Sequence, residues 1–468
     1  MTAKKSGHEV SIPLDQVGVN LYQSEAKVYP RSVQGNFARL RWLAVWILLG
    51  LFYLLPWLKI KGEQAVLFDL PARKFTIFGM HLWPQDFYLL ALLLIICALG
   101  LFFVTALAGR IWCGYACPQT VWTELFMLVE RWIEGDRAKR MKLDAAPWTA
   151  NKIARKTGKQ SAWIVMGLFT GFTFVAYFTP LEKLWQNLLN LSLGPWETFW
   201  ILFYGFATYG NAGFLREQVC KYMCPYARFQ SAMFDQDSLI VAYDEKRGEP
   251  RGSRKRGSDY QANGLGACID CTMCVQVCPT GIDIRDGLQY ECIACAACVD
   301  VCDSVMDKMG YERGLIRYTS ENALAGKKSR IFRLRTIIYG LLLGAICTAW
   351  VFLLINRQDL NVDLERDRNS LYQVLDDRQI ENVYTLRLVN KSMQARNIII
   401  NIEPMEYFSM SQSKLYLQPE AISQVPLRIK ANQDELTSSI QTIKLILRDA
   451  ETGNKLHTIE NKFISPGK

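Results

Sequence analysis

Cys268-Ile-Asp-Cys271-Thr-Met-Cys274-Val-Gln-Val-Cys278-Pro279 is followed by Cys292-Ile-Ala-Cys295-Ala-Ala-Cys298-Val-Asp-Val-Cys302, so one spacing, C-x2-C-x2-C-x3-C, occurs twice. Three thiolates this close in sequence wrap three irons of one cubane, and the fourth, a turn further on, reaches across to the other cube. The spacing assigns Cys268, Cys271, Cys274 and Cys302 to one [4Fe-4S] cluster and Cys292, Cys295, Cys298 and Cys278 to a second. A zinc ribbon needs only four ligands in two pairs, and a disulfide framework is disfavoured in a reducing cytoplasm. One departure from regularity stands: Cys278 precedes Pro279, whereas Cys302 precedes Asp303.

Outward from this stretch the chain reads as a membrane protein with soluble parts. Its 468 residues are half apolar and only 21% charged, which excludes a disordered or fibrous chain. Five charge-free segments, 42–58, 87–109, 160–181, 198–215 and 336–356, are each long enough for a membrane helix, and no cleavable signal peptide precedes them. Arg39, Arg41, Arg110, Arg155, Lys156, Lys159, Lys327, Lys328, Arg330, Arg333 and Arg335 crowd alternate loops. By the positive-inside rule those loops, the N-terminus and the cysteine-rich insert are cytoplasmic. Everything after Ile355 is then outside. The net charge of +10 is topology signal rather than a nucleic-acid footprint.

Two further units repeat weakly: Arg110-Ile-Trp-Cys113-Gly-Tyr-Ala-Cys117-Pro118 and Arg216-Glu-Gln-Val-Cys220-Lys-Tyr-Met-Cys224-Pro225. Each follows an expected out-to-in helix, and each Pro suits the opening turn of another. Residues four apart on a helix share a face, so each unit can present two thiols to one metal. Soft thiolates select Cu(I), zinc or iron–sulfur, and Met223 offers a thioether. Spacing alone does not decide between copper and a third cluster at Cys113, Cys117, Cys220 and Cys224. Cys97 and Cys347, inside expected spans, read as packing residues. The three histidines, His8, His81 and His457, are scattered outside the spans, which excludes a membrane haem b. No Gly-x-Gly-x-x-Gly element opens a βαβ unit, so electrons must come from a partner or a lipid-soluble donor.

From Arg357 onward acidic and basic side chains balance, cysteine is absent, and short alternating runs recur at 383–389, 398–402, 415–417, 425–429 and 440–447. This predicts a β-sandwich of about a hundred residues. The expected organisation is a cytoplasmic tail over 1–36, a four-helix membrane region over 37–235 and a two-cluster ferredoxin-like domain over 236–330. A fifth span over 331–356 and an outer β-sandwich over 357–468 complete it. The sandwich has no cluster of catalytic groups, and docking to a partner is its expected role.

The runs Gly109 to Glu124, Arg216 to Pro225, Tyr243-Asp-Glu-Lys-Arg-Gly-Glu-Pro-Arg251, Gly281-Ile-Asp-Ile-Arg285 and Gly314-Leu-Ile-Arg-Tyr318 resemble the CcoG family, also called FixG or RdxA, over nearly the whole chain. The resemblance implies an immunoglobulin-like C-terminal domain and a multi-pass protein of the bacterial inner membrane. It implies a role in assembling cbb-type haem-copper oxidase, with oxidase-assembly and copper-delivery proteins as partners and no nucleic acid. It further implies a cupric reductase, with two [4Fe-4S] clusters as cofactors and the Cys-x-x-x-Cys-Pro units handling copper. The electron donor is not specified, and a homo-oligomer is allowed. Two rivals stand beside this reading: a quinol-linked polyferredoxin without copper chemistry, like more distant relatives of nitrate and nitrous-oxide respiration, and an assembly scaffold with structural clusters.

Overall fold

The structure, a computed structural model, describes residues 27–466 except 261, 263, 368, 369, 376, 377, 393, 420 and 437. Most of the tail expected over 1–36, including His8 and the stretch read for a signal peptide, lies outside the described residues.

Among the described residues three helices are long and apolar enough to cross a membrane: Asn36–Trp57, Pro84–Ala108 and Leu334–Ile355. The expectation of five is corrected. The third expected segment falls on helix Ala150–Val175, whose opening turns carry Lys152, Arg155, Lys156 and Lys159 and which ends short of Pro180. The fourth falls on helix Pro195–Thr208, only 14 residues long, beyond which the backbone widens into a π-helix over Tyr209–Leu215. A charge-free window counts Thr208, Tyr209, Gly210 and Asn211 as membrane residues, although none is strongly apolar.

The chain divides into two compact units. One comprises residues up to Leu48 with Val104–Gly167 and Phe206–Ile331; the other comprises Leu49–Phe103, Leu168–Gly205 and Phe332–Lys468. In the first, helices Met273–Val277 and Ala297–Met309 pack together. Strand Ile240–Tyr243 pairs antiparallel with Ile316–Thr319, and Val241, Tyr243, Leu315 and Ile316 are buried with Met306 and Val299 as a common core. Asp300 of the longer helix accepts the backbone N–H groups of Phe37 (3.2 Å) and Ala38 (2.7 Å), the orphan donors at the start of helix Asn36–Leu54. The iron-binding region therefore caps the first apolar helix.

The second unit carries the β-sandwich. Strands run Phe408–Met410, Ile422–Asn432, Gln379–Asn390, Leu360–Arg366 in one sheet, with Gln373–Val374 added against Gln379–Asn390. They run Lys414–Leu417, Arg396–Glu403, Ile440–Asp449, Lys455–Ile464 in the other. Every alternating run read from the sequence is a strand. Alternation puts Tyr384, Leu386 and Leu388 inward from one sheet and Ile398, Ile400, Ile443 and Leu445 from the other, all essentially inaccessible to solvent. The Tyr384 hydroxyl donates to Lys462 O at 2.9 Å, and Asn382 exchanges two bonds with the Ile464 backbone. These polar clips satisfy buried groups while fixing the register of the two sheets.

The sandwich is tied to the helix starting at Phe87 by a buried charge cluster. Asp86 receives Lys391 at 2.6 Å and Arg357 at 2.9 Å, and both Asp86 and Lys391 are almost wholly buried. Removing one partner of such a pair leaves a desolvated charge and costs about 3–5 kcal/mol. Asp86→Asn should lower the unfolding midpoint and expose the chain near Arg357 to limited proteolysis. Asp86→Asn combined with Lys391→Met should recover most of the loss. Wild-type proteolysis of the single variant would show that the cluster does not anchor the domain.

Candidate metal centres

The two cysteine loops share one backbone. Asp270 (φ 54°) and Thr272 (φ 55°) flank Cys271, and Ala294 (φ 52°) and Ala296 (φ 56°) flank Cys295, all left-handed and none a glycine. Each such residue costs roughly 1–2 kcal/mol in that region. The same two positions hold it in both loops because left-handed residues turn successive N–H groups into a concavity that favours an anion. A thiolate-ligated iron–sulfur cube is such an anion.

The thiols meet in the crossed sets. Burial first, then the charges of Cys274, Cys268, Asp303 and Cys271, push the Cys302 thiol up to about 12. Burial, then Cys295, Cys292, Cys278 and Cys274, raises Cys298 far above its ordinary value. One cavity is lined by Cys268, Cys271, Cys274 and Cys302, and another by Cys278, Cys292, Cys295 and Cys298 with Cys274 at their boundary. Four thiols that destabilise one another as bare anions fit a shared cationic core. Among the described residues no three His, Cys, Asp or Glu side chains gather tightly enough for a lone metal ion. A tetrahedral ion with Zn–S of about 2.3 Å would draw thiolates to about 3.8 Å apart. The residues fit two four-iron cubes, which are larger than an ion.

The departure after Cys302 has a structural cause. Cys278 ends the short helix Met273–Val277, so Pro279 follows a stop, whereas Cys302 lies within Ala297–Met309, where Pro would break the helix. Asp303 instead accepts the Gly314 N–H at 2.9 Å.

The two Cys-x-x-x-Cys-Pro units converge, though not as expected. Cys113 lies in helix Ile111–Tyr115 and Cys117 precedes helix Pro118–Glu134. Cys220 lies in a π-helical turn, Val219–Met223, and Cys224 precedes helix Pro225–Met233. Neither pair shares the face of one continuous α-helix; each is split by the break before its proline. Together they form one quartet. Burial, then Cys117 and more weakly Cys220 and Cys224, raises Cys113 to about 12, and burial, Cys117 and Cys224 raise Cys220 to about 11. Met223, offered as a thioether ligand, is mostly exposed. Cys97 and Cys347 lie in helices Phe87–Ala108 and Leu334–Ile355, as free thiols.

The quartet abuts the second cysteine set. Cys113 and Cys220 pack against Ile293, Cys295, Ala297 and Val301. A Cβ at Gly114 would meet Ile293 O at 2.8 Å, the Cys295 Cα at 2.9 Å and Ala294 O at 3.0 Å, so only glycine permits this approach. The neighbouring Tyr115 hydroxyl lies 3.3 Å from that of Tyr318, which donates to Ala294 O at 2.5 Å. Behind Cys220, Arg216 is left-handed (φ 38°), bonds Gly213 O at 2.8 Å and Glu130 at 3.0 Å, and lies over the Trp163 ring. Glu130 also receives Arg140 at 2.8 Å and Lys159 at 3.4 Å; these cations outweigh burial and hold its carboxyl below the usual range. Sequence reasoning missed Gly114, Glu130, Asp300 and the supporting role of Arg216. The one sequence signal was the asymmetry of the two units, Gly114 in the first against Lys221 in the second.

Paired thiol sets of this geometry, on a chain whose described residues include three helices apolar enough to cross a membrane, define a membrane-associated iron–sulfur protein of the electron-transfer class. Three families match: a 4Fe-4S dicluster domain over residues 215–321, a 4Fe-4S binding domain over 90–135 and the immunoglobulin-like fold at the C-terminus of FixG over 350–466. The chain is 43% identical to protein RdxB of Cereibacter sphaeroides over 88% of both chains. It is 40% identical to the nitrogen fixation protein FixG of Rhizobium meliloti over 83% of this chain and 82% of that one. A crystal structure of a FixG-related protein from Vibrio parahaemolyticus matches 23% of this chain and 97% of its own at 28% identity, with a TM-score of 0.21. The chain belongs to the FixG/RdxA family.

The crossed sets are testable one thiol at a time. Cys278→Ser should abolish the same electron paramagnetic resonance signal as Cys295→Ser, and Cys302→Ser the same one as Cys271→Ser. Iron should fall in each case from about eight per chain to about half. Loss by run rather than by crossed set would overturn the assignment. Gly114→Ala should disturb the signal of the Cys292 set and leave that of the Cys268 set unchanged, since only the former backbone must move.

Proposed function

We propose that the chain is a bacterial inner-membrane electron relay that reduces Cu(II) to Cu(I) in support of cbb-type oxidase assembly. The observation that carries this reading is the direct packing of Cys113 and Cys220 on the shell of the second cysteine set. The [4Fe-4S] clusters, held by the two sets, supply one-electron storage. Reduction of Cu(II) takes one electron, and thiolate ligation favours the Cu(I) product. Cys271 is exposed while Cys295 and Cys298 are enclosed, which supports a donor docking at the first set and a substrate at the quartet.

The Lys and Arg distribution supports a cytoplasmic ferredoxin-like region and a β-sandwich outside, available to copper-delivery or oxidase-assembly proteins. The three candidate spans among the described residues are odd in number, which supports placing Gly35 and Arg357 on opposite sides.

A second reading has specific support. The iron–sulfur match over 90–135 contains Cys113 and Cys117. A third cluster there would make the chain a longer electron wire, fed by quinol, without copper chemistry. Cys113→Ser with Cys117→Ser separates the two. Copper reduction predicts loss of copper binding and at least a tenfold slower Cu(II) reduction, with both cluster signals retained. A third cluster predicts loss of iron with copper uptake unchanged, so both metals should be assayed on one preparation.

A further inference from the structure

Arg110 is a buried cation without an acidic partner. It is 3% exposed, it opens the helix that carries Cys113, and among the described residues no carboxylate lies within ion-pair distance of it. Its guanidinium donates from one nitrogen to Tyr290 O and to Cys292 O (3.4 Å), and from another to Ala227 O. Its Nε has no acceptor among the described residues. Tyr290 and Cys292 belong to the ligand loop of the second set, and Ala227 belongs to the helix that Cys224 opens. The guanidinium therefore stands where the quartet and the second set meet.

Carbonyl oxygens satisfy N–H donors but do not cancel a charge. A desolvated guanidinium with only dipoles around it is costly, and buried charges are ordinarily paired. Four other buried cations of this unit follow that rule: Arg41 has Glu124 at 3.3 Å, and Arg140, Lys159 and Arg216 have Glu130. Lys152 does not, bonding Asp144 O at 2.9 Å and Ala146 O at 2.6 Å over the Trp148 ring, but it lies on the helix Ala150–Val175, away from the cysteine loops in sequence, whereas Arg110 bonds the Cys292 loop itself. The groups that surround Arg110 instead are the cysteine loops: its guanidinium bonds Cys292 O in the second set, and Ala227 O in the helix that Cys224 opens. The first set has a separate cation, Arg285, which is held by Asp283 at 2.6 Å and Asp270 at 2.5 Å and so is already neutralised.

We infer that Arg110 is the counter-ion shared by the second cysteine set and the thiol quartet, and that its uncompensated charge sets the reduction potential of the second cluster above what the protein would otherwise give. The physical step is electrostatic. Reduction adds one negative charge to a thiolate-ligated centre, a nearby fixed cation stabilises that charge, and low local dielectric magnifies the effect. Arg110 is a positioning residue that transfers no electron or proton. Its place makes the two sites electrically dependent, because a cation gained at the quartet adds to the field that Arg110 already exerts on the second cluster.

The inference rests on the two-cluster reading but not on copper, so its test uses none. Full-length protein, purified anaerobically in detergent, is titrated potentiometrically with the cluster signals followed by electron paramagnetic resonance; a Cys292→Ser variant identifies the second cluster's signal by its loss. Arg110→Gln should shift the second cluster's midpoint downward and leave the first cluster's in place, with iron content unchanged. Arg110→Lys, which keeps the charge and loses the planar fork, should hold the second midpoint near wild type. Unmoved midpoints in Arg110→Gln, or an equal shift of both clusters, would overturn the inference. If Arg110→Gln loses iron, Arg110→Lys decides: iron and potential kept support a requirement for charge, and iron lost there too makes Arg110 a purely structural fork and overturns it.

Discussion

Everything in the metal-binding unit depends on how closely two backbones approach at Gly114. A side chain there would lie under 3.0 Å from the Ile293 carbonyl and the Cys295 Cα, so the helix carrying Cys113 and the loop carrying Cys292 and Cys295 touch main chain to main chain. The approach leaves no room for water between them, and Tyr115, Tyr318 and Ala294 continue the contact through hydroxyls. A membrane-proximal helix and a ferredoxin-like loop thus share one interior. Asp300 strengthens the same junction from the other side by capping helix Asn36–Leu54 out of the very helix that holds Cys298 and Cys302.

Buried charge is the second organising constraint, and it is invisible to charge counting. In the sequence Arg41, Arg110 and Lys159 read as loop charges that report orientation. In the fold Arg41 faces Glu124, Lys159 is shared by Glu130 and Glu134 at 3.4 and 2.9 Å, and Arg110 is enclosed by carbonyls. A positive-inside count treats each Lys or Arg as solvated, so it cannot separate a topological charge from one partner of an internal pair. The two lost spans fail for a related reason: freedom from charge is not apolarity, and Gly210, Asn211 and Pro180 interrupt a helix without bearing charge.

What was legible was local. The eight ferredoxin-type cysteines lie within one short stretch, and their spacing groups them as the cavities do, Cys268, Cys271, Cys274 and Cys302 in one and Cys278, Cys292, Cys295 and Cys298 in the other. The β-sandwich was legible because period-two alternation is a one-dimensional signal of a two-faced strand. The quartet was half legible: duplication suggested two thiol pairs, but their union depends on tertiary packing. The left-handed residues were illegible, since Asp270, Thr272, Ala294 and Ala296 are not types that announce positive φ as glycine does. Asp303 looked like a defect only until the helix around it was seen to continue.

The asymmetry of the duplicated units follows from what each must face. The first lies against the ligand loop, so it needs a residue without a side chain and remains α-helical up to its break at Cys117. The second touches the same cluster through Cys220 and carries Lys221 at the equivalent position; its further requirement is to turn Cys220 back toward Cys117. The π-helical widening on both sides of Arg216, and the left-handed backbone at Arg216 itself, provide that turn. Such backbone persists only when its surroundings over-determine it. Here Glu130, Gly213 and Trp163 do so through one guanidinium. The carboxylate that neutralises this arginine is the same one that neutralises Arg140 and Lys159, so the position of Cys220 is held by the charge balance of the whole unit rather than by its own turn.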